Sequence, residues 1–157
     1  MKQILIAVAA LMCFSMSAAA AGSGDYVDKI VRKYKGLEAV EYVKVSKVML
    51  EMGLEYDEDA AEWLRGVRRL DVIMIDDDPA LEDEFSRDIS GLEEKGYSKP
   101  LSVSDGGDAI KTYVLKKSGM VKSLVILVKD EDECVFVRMK GRISEKHVKD
   151  IVLNVGD

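Results

Sequence analysis

Residues 121–129, Val-Lys-Ser-Leu-Val-Ile-Leu-Val-Lys, constrain this chain more than any other stretch. Side chains alternate between the faces of a strand, so Leu124, Ile126 and Val128 point one way and Val125 and Leu127 the other. A strand apolar on both faces belongs in the middle of a sheet with both sides covered. Helices on both faces would cover it. A second copy of the chain on one face would serve equally, so a homodimer is compatible with the pattern.

The neighbouring sequence supplies the rest of a sheet. Ala109–Lys116 and Cys134–Lys140 read as strands on either side, separated by the turns Lys117-Ser118-Gly119 and Asp130-Glu131-Asp132-Glu133. Leu101-Ser102-Val103 leads into Asp105-Gly106-Gly107-Asp108, a further turn signal. This is a C-terminal β-meander. Upstream, Val40–Val45 and Leu70–Ile75 are also strand-like.

Helical spacing fills the gaps. Val27, Ile30, Val31 and Tyr34 lie at i, i+3, i+4 and i+7, and Gly36 is placed to end that helix in the left-handed conformation. Ser46 is placed to cap a short helix carrying Val48, Met49 and Met52 and ended by Gly53. A second helix is expected over roughly Glu58–Leu64, with Ala60, Trp63, Leu64 and Val67 on one side. Asp78-Pro79 starts another, with Leu81, Phe85, Ile89 and Leu92 as its buried stripe and Gly96 as its end. Ser144 caps a last helix bearing Val148, Ile151, Val152 and Val155. The fold class expected is α+β: a largely antiparallel sheet packed against helices.

The first 21 residues are set apart. Lys2 precedes the apolar run Ile4–Met16, and small residues follow from Ser17 to Gly22. That is the pattern of a secretory signal peptide, cut after Ala21, leaving 22–157 as a single α+β domain. The location expected is periplasmic or secreted. Lipid anchoring at Cys13 is the lesser reading, because Met12 is bulky where a lipoprotein signal wants a small residue. The run is too short to span a bilayer, and no later segment qualifies. Cleavage removes Lys2 and takes the net charge from −6 to −7. An acidic chain of this kind does not offer the basic face that nucleic acid requires. Cys134 is then the sole thiol, expected to be buried.

Few residues carry a chemical signal. Asp76-Asp77-Asp78 and Asp130–Glu133 could supply oxygen ligands to a divalent cation, but turn and cap duties explain them better. His147, the only His, has Glu145 and Asp150 nearby but no nucleophile beside it in any recognisable motif. No phosphate-cradling loop, nucleophile elbow or His-Glu-x-x-His is present. No catalytic residue, metal ligand or cofactor is therefore assigned. The most basic stretch is Arg65, Arg68 and Arg69, with Lys44 and Lys47 upstream. Arginine forks suit carboxylate or phosphate partners, so these three are the candidate partner-binding residues. Met49 and Met52 near Trp63 suit either core packing or an adaptable groove.

Tyr42–Leu50, Leu70–Ile75, and Leu124–Glu133 running into Val135–Gly141 resemble the domain of unknown function 4252 family, small exported proteins and lipoproteins of Bacteroides-like bacteria. The resemblance implies a location outside the cytoplasm and transfers no activity or catalytic residue. The function expected is an exported binding module of the bacterial envelope with a protein partner. The alternatives are a divalent-cation binder using the acidic turns, or an enzyme with an unrecognised carboxylate site.

Overall fold

A computed structural model describes residues 25–54, 64–105 and 108–155. The signal segment with Cys13, the Gly22–Gly24 leader, the helix expected over Glu58–Leu64 (apart from Leu64 itself) with Trp63, and the Gly106-Gly107 turn lie outside them. Six strands form one antiparallel sheet: β1 (Val40–Ser46), β2 (Val67–Asp76), β3 (Ser98–Asp105), β4 (Asp108–Lys117), β5 (Met120–Lys129) and β6 (Glu133–Ile143). Their order across the sheet is β1-β2-β6-β5-β4-β3. The last four form the expected meander, and β5 and β6 are the central pair of the whole sheet. Among the described residues four helices accompany them: α1 (Tyr26–Tyr34), α2 (Lys47–Leu54), α3 (Pro79–Ser90) and α4 (Glu145–Val155). The fold is α+β, as the pattern predicts.

The doubly apolar strand is covered by helices on both faces. On one face α1 and α3 pack Val27, Ile30, Val31, Tyr34, Phe85 and Ile89 onto Ile73, Ile75, Val125, Leu127 and Phe136. On the other, α2 and α4 bring Leu50, Val148 and Ile151 against Leu70, Val72, Leu124, Ile126 and Val135. A second copy of the chain is not needed to bury β5. Burying each such side chain contributes about 1.5–3 kcal/mol. Phe85 centres the first layer, edge-on to Tyr34 at 4.8 Å and to Phe136 at 5.5 Å. Those geometries add about 0.5–1.5 kcal/mol each beyond area alone.

Local chemistry explains most helix boundaries. The Asp25 carboxylate caps α1 by accepting the Asp28 amide at 2.9 Å. Asp78 caps α3 by accepting from Leu81 at 3.0 Å, with Pro79 in the first turn, where no amide is missed. Ser46 accepts from the Met49 amide at 3.4 Å and Ser144 from His147 at 3.2 Å. Ser118 and Gly119, with φ of 55° and 72°, make the tight turn between β4 and β5.

Three glycine expectations differ in outcome. α1 ends at Tyr34, and Gly36 does not take a positive φ. The Lys35 amide bonding to the Val31 carbonyl already closes the last turn. α2 runs through Gly53 rather than stopping there. α3 stops at Ser90, and Gly96, at φ 91°, ends the short 3₁₀ turn Glu93–Lys95 that follows. Among the described residues no helix is long and apolar enough to cross a membrane.

Candidate functional site: a cationic groove between α2 and the β2–β6 junction

β2 is entered through the turn Leu64-Arg65-Gly66, closed by the Val67 amide on the Leu64 carbonyl at 2.9 Å. Gly66 takes φ 85°, open to glycine and resisted by other residues. Its carbonyl accepts from the Arg142 amide at 2.9 Å, at the far end of β6. A Cβ on Gly66 would collide with the Arg142 carbonyl, and one on Gly141 with the Gly66 carbonyl. Two glycines thus permit a backbone contact that fixes Arg65 and Arg142 side by side. Arg68 joins them through an irregularity in pairing. Val67 pairs with Gly141 and Arg69 with Lys140, so Arg68 is the extra residue of a bulge, a device that re-aims side chains.

α2 forms the opposite wall with Lys47, Leu50 and Glu51, enclosing about 350 Å³. Leu50, Leu64 and Val67 give an apolar floor, while Lys47, Arg65, Arg68 and Arg142 line it with positive charge. Among the described residues Glu51 is the one acid lining the groove, and it is engaged by Lys47 at 3.1 Å along one helix turn. Arg65, Arg68 and Arg142 are exposed and have no ion-pair partner among the described residues. Three guanidinium forks above an apolar floor suit an anionic group attached to something greasy.

Of the three arginines singled out in the sequence, Arg65 and Arg68 meet in this groove. Arg69 does not. Strand alternation turns it to the α1 side, where it donates to Asp71 Oδ1 through Nε at 3.2 Å and Nη2 at 2.9 Å. Lys47 reaches the groove, whereas exposed Lys44 stands opposite Asp71 on β1. Arg142 was not foreseen. It lies past the expected strand end at Lys140, and only the pairing of β2 with β6 brings it to Arg65.

Arg69 belongs to a separate charge cluster that closes one end of the first layer. Arg138 and Asp71 face each other across β6 and β2, and both are fully buried. Arg138 donates to Asp71 Oδ2 from Nε at 3.0 Å and Nη2 at 2.8 Å, and its Nη1 lies 2.6 Å from Asp28 and 3.3 Å from Asp25. Tyr42 donates to Asp71 Oδ1 at 2.7 Å, and Lys140 reaches Asp25 at 3.1 Å. Burial alone would pull the Arg138 guanidinium down, but Asp71 and then Asp28 outweigh it and hold it above its ordinary value. Burial pushes Asp28 up, yet the Arg138 hydrogen bond and charge hold it below the usual carboxylate range. Burial and then the bond to Asp71 push the Tyr42 hydroxyl up to about 12. Three acids face three bases here, and the charges are matched from within. It is a structural clamp between α1 and the sheet.

The other singled-out residues have local duties. Asp78 is a cap, Asp77 turns the chain at φ 55°, and Asp130 accepts the amides of Asp132 and Glu133, each at 2.8 Å. Among the described residues no three His, Cys, Asp or Glu side chains converge as metal ligands. Cys134 is fully buried, and burial pushes its thiol up to about 12. His147 is half-buried in the first turn of α4, and neither ring nitrogen has a partner among the described residues. A broader depression of about 510 Å³ on α3 mixes Asp83 with Arg87 and Lys111, and Asp83 is already held by Lys129 at 2.6 Å.

No curated protein matches the chain in sequence. A family model does, over residues 34–151, three quarters of the chain. The matched span runs from the end of α1 into α4, so it takes in the whole sheet and every residue of the groove. On that match the chain belongs to the family described as Domain of unknown function (DUF4252).

Proposed function

We propose that this chain is an exported binding module of the bacterial envelope that recruits a protein partner through the groove between α2 and the β2–β6 junction, and that it is not an enzyme. The carrying observation is the convergence of Arg65, Arg68 and Arg142, without an ion-pair partner among the described residues, in a protein of net charge −6. Free cations so placed on an acidic chain steer an acidic partner toward one orientation. The signal-like leader supports a periplasmic or secreted location.

The test is affinity capture from cross-linked envelope extract. The bait is the chain from Gly22 or its variant carrying Arg65→Glu, Arg68→Glu and Arg142→Glu. Loss of a reproducible partner with the variant, but not with Asp76→Lys and Asp77→Lys, supports the reading. Equal capture by both baits, or none by either, removes it.

A further inference from the structure

α2 carries more apolar surface than the sheet uses. Leu50 is buried and Met49 half-buried, yet Val48 and Met52 are 63% and 62% exposed. They lie four residues apart and are neighbours on the helix surface. At ~100° per residue they form the crest of α2, one step round from the Lys47–Glu51 row that walls the groove. Large aliphatic side chains this exposed, rimmed by charge, mark interaction surfaces. The crest thus adjoins the Lys47–Glu51 wall of the groove that holds the three arginines.

We infer that this surface holds an acidic, amphipathic segment of a protein partner, a peptide whose carboxylates meet Arg65, Arg68 and Arg142 while an aliphatic or aromatic side chain covers Val48 and Met52. The inference rests on the proposed binding role and names its ligand. Charge complementarity selects the occupant. The groove's three guanidinium forks have no ion-pair partner among the described residues, and a carboxylate satisfies a guanidinium in two parallel bonds. The volume of about 350 Å³ accommodates a few side chains rather than a folded domain, so the partner presents a segment. The crest asks that segment for an apolar residue beside its acids. Methionine tolerates several shapes there.

The experiment places a photo-crosslinking benzoylphenylalanine at position 48 or 52, and at exposed position 32 on α1 as a control, in the full chain in living cells. Thermal melts by circular dichroism confirm that each variant folds. Adducts are isolated and the cross-linked peptide of the partner is sequenced. The expected result is an adduct from positions 48 and 52 to a segment carrying at least two Asp or Glu within four residues of an apolar side chain. Arg65→Glu with Arg68→Glu and Arg142→Glu should lower its yield roughly tenfold or more, as should Met52→Ser with the probe at 48.

An adduct to a neutral or basic segment overturns the inference and leaves the binding role standing. Adducts from position 32 alone do the same. Adducts to a second copy of this chain, or arginine-dependent flotation with phosphatidylglycerol vesicles in place of any protein adduct, also overturn it. Absence of adducts at all three positions counts against both readings, and the envelope capture then decides the binding role on its own.

Discussion

The buried pair Asp71–Arg138 gives the sharpest quantitative test of the fold. Arg138→Met keeps the length of the side chain and removes the fork. Asp71 retains Tyr42 and Arg69, but both bond Oδ1. Its Oδ2, at zero exposure, loses both donors that it has from Arg138. Removing one member of a buried pair typically costs about 3–5 kcal/mol, because the surviving charge is left desolvated and unmatched. Asp71→Leu leaves the guanidinium with Asp28 and Asp25 only, and the same range applies. Against a typical stability of about 5–15 kcal/mol, either change lowers Tm by about 10–15 °C in a chain of this size.

The double variant should cost less than the sum. With both charges gone no buried ion is stranded: Arg69 is 33% exposed and reaches water, as Asp25 and Asp28 do in part. A coupling of about 2 kcal/mol is expected from the double-mutant cycle. Urea unfolding followed by circular dichroism at pH 7, on all four proteins, measures it. Single costs under about 1 kcal/mol, or additivity within about 0.5 kcal/mol, would refute the argument.

Three further outcomes follow from the same geometry. Gly66→Ala or Gly141→Ala should each destabilise by about 2 kcal/mol or more, because neither backbone can move away without breaking the Gly66–Arg142 contact; a melt shows it, and an unchanged Tm rejects the close approach. Burial pushes Asp88 up, but hydrogen bonds from Lys33 and Tyr34 outweigh it and keep it below its ordinary range, as Arg138 does for Asp28. Both therefore contribute stability that is complete above about pH 4 and is lost as pH falls through their lowered folded values, so acid titration of ΔG should flatten in Asp28→Asn and Asp88→Asn. Cys134 should resist a thiol reagent at pH 8 in the native chain and react at once in urea; rapid native modification would contradict its burial.

Much of this architecture is legible in period alone. Val125 and Leu127 against Leu124 and Ile126 announce a central strand, and α1, α3 and α4 lie over their apolar stripes, with Leu92 falling just past the end of α3. Caps written in local chemistry, at Ser46, Asp78 and Ser144, are legible for the same reason. Glycine is less informative: Gly36 and Gly53 mark no left-handed stop, because a backbone bond already closes α1 before Gly36 and α2 runs one residue past Gly53. Glu82 is a further case. An acid in the first turn of α3, where the helix dipole favours it, it is nonetheless 4% exposed and 3.7 Å from Lys129, and burial raises its pKa. The groove was half legible. Arg65 and Arg68 stand in a basic run, but sequence cannot tell which of three adjacent cations a bulge will re-aim or that Arg69 will turn inward. Arg142 comes from a pairing between strands far apart in the chain, and no local signal encodes that partner.

That pairing has a consequence for how the chain reaches its native state. β6 is the last strand made, yet it lies between β2 and β5 and joins the early hairpin to the late meander. Until it arrives, β1 and β2 can pair only with each other, and the inner edge of β2 stays open. Closing the sheet then requires a loop of more than fifty residues, from Asp76 to Glu133, to be drawn together at once. The meander, whose contacts are all between neighbours, has no such wait. β6 acts as a keystone. A chain cut short before Glu133 would expose two unpaired apolar edges, one on β2 and one on β5, and such edges recruit other chains.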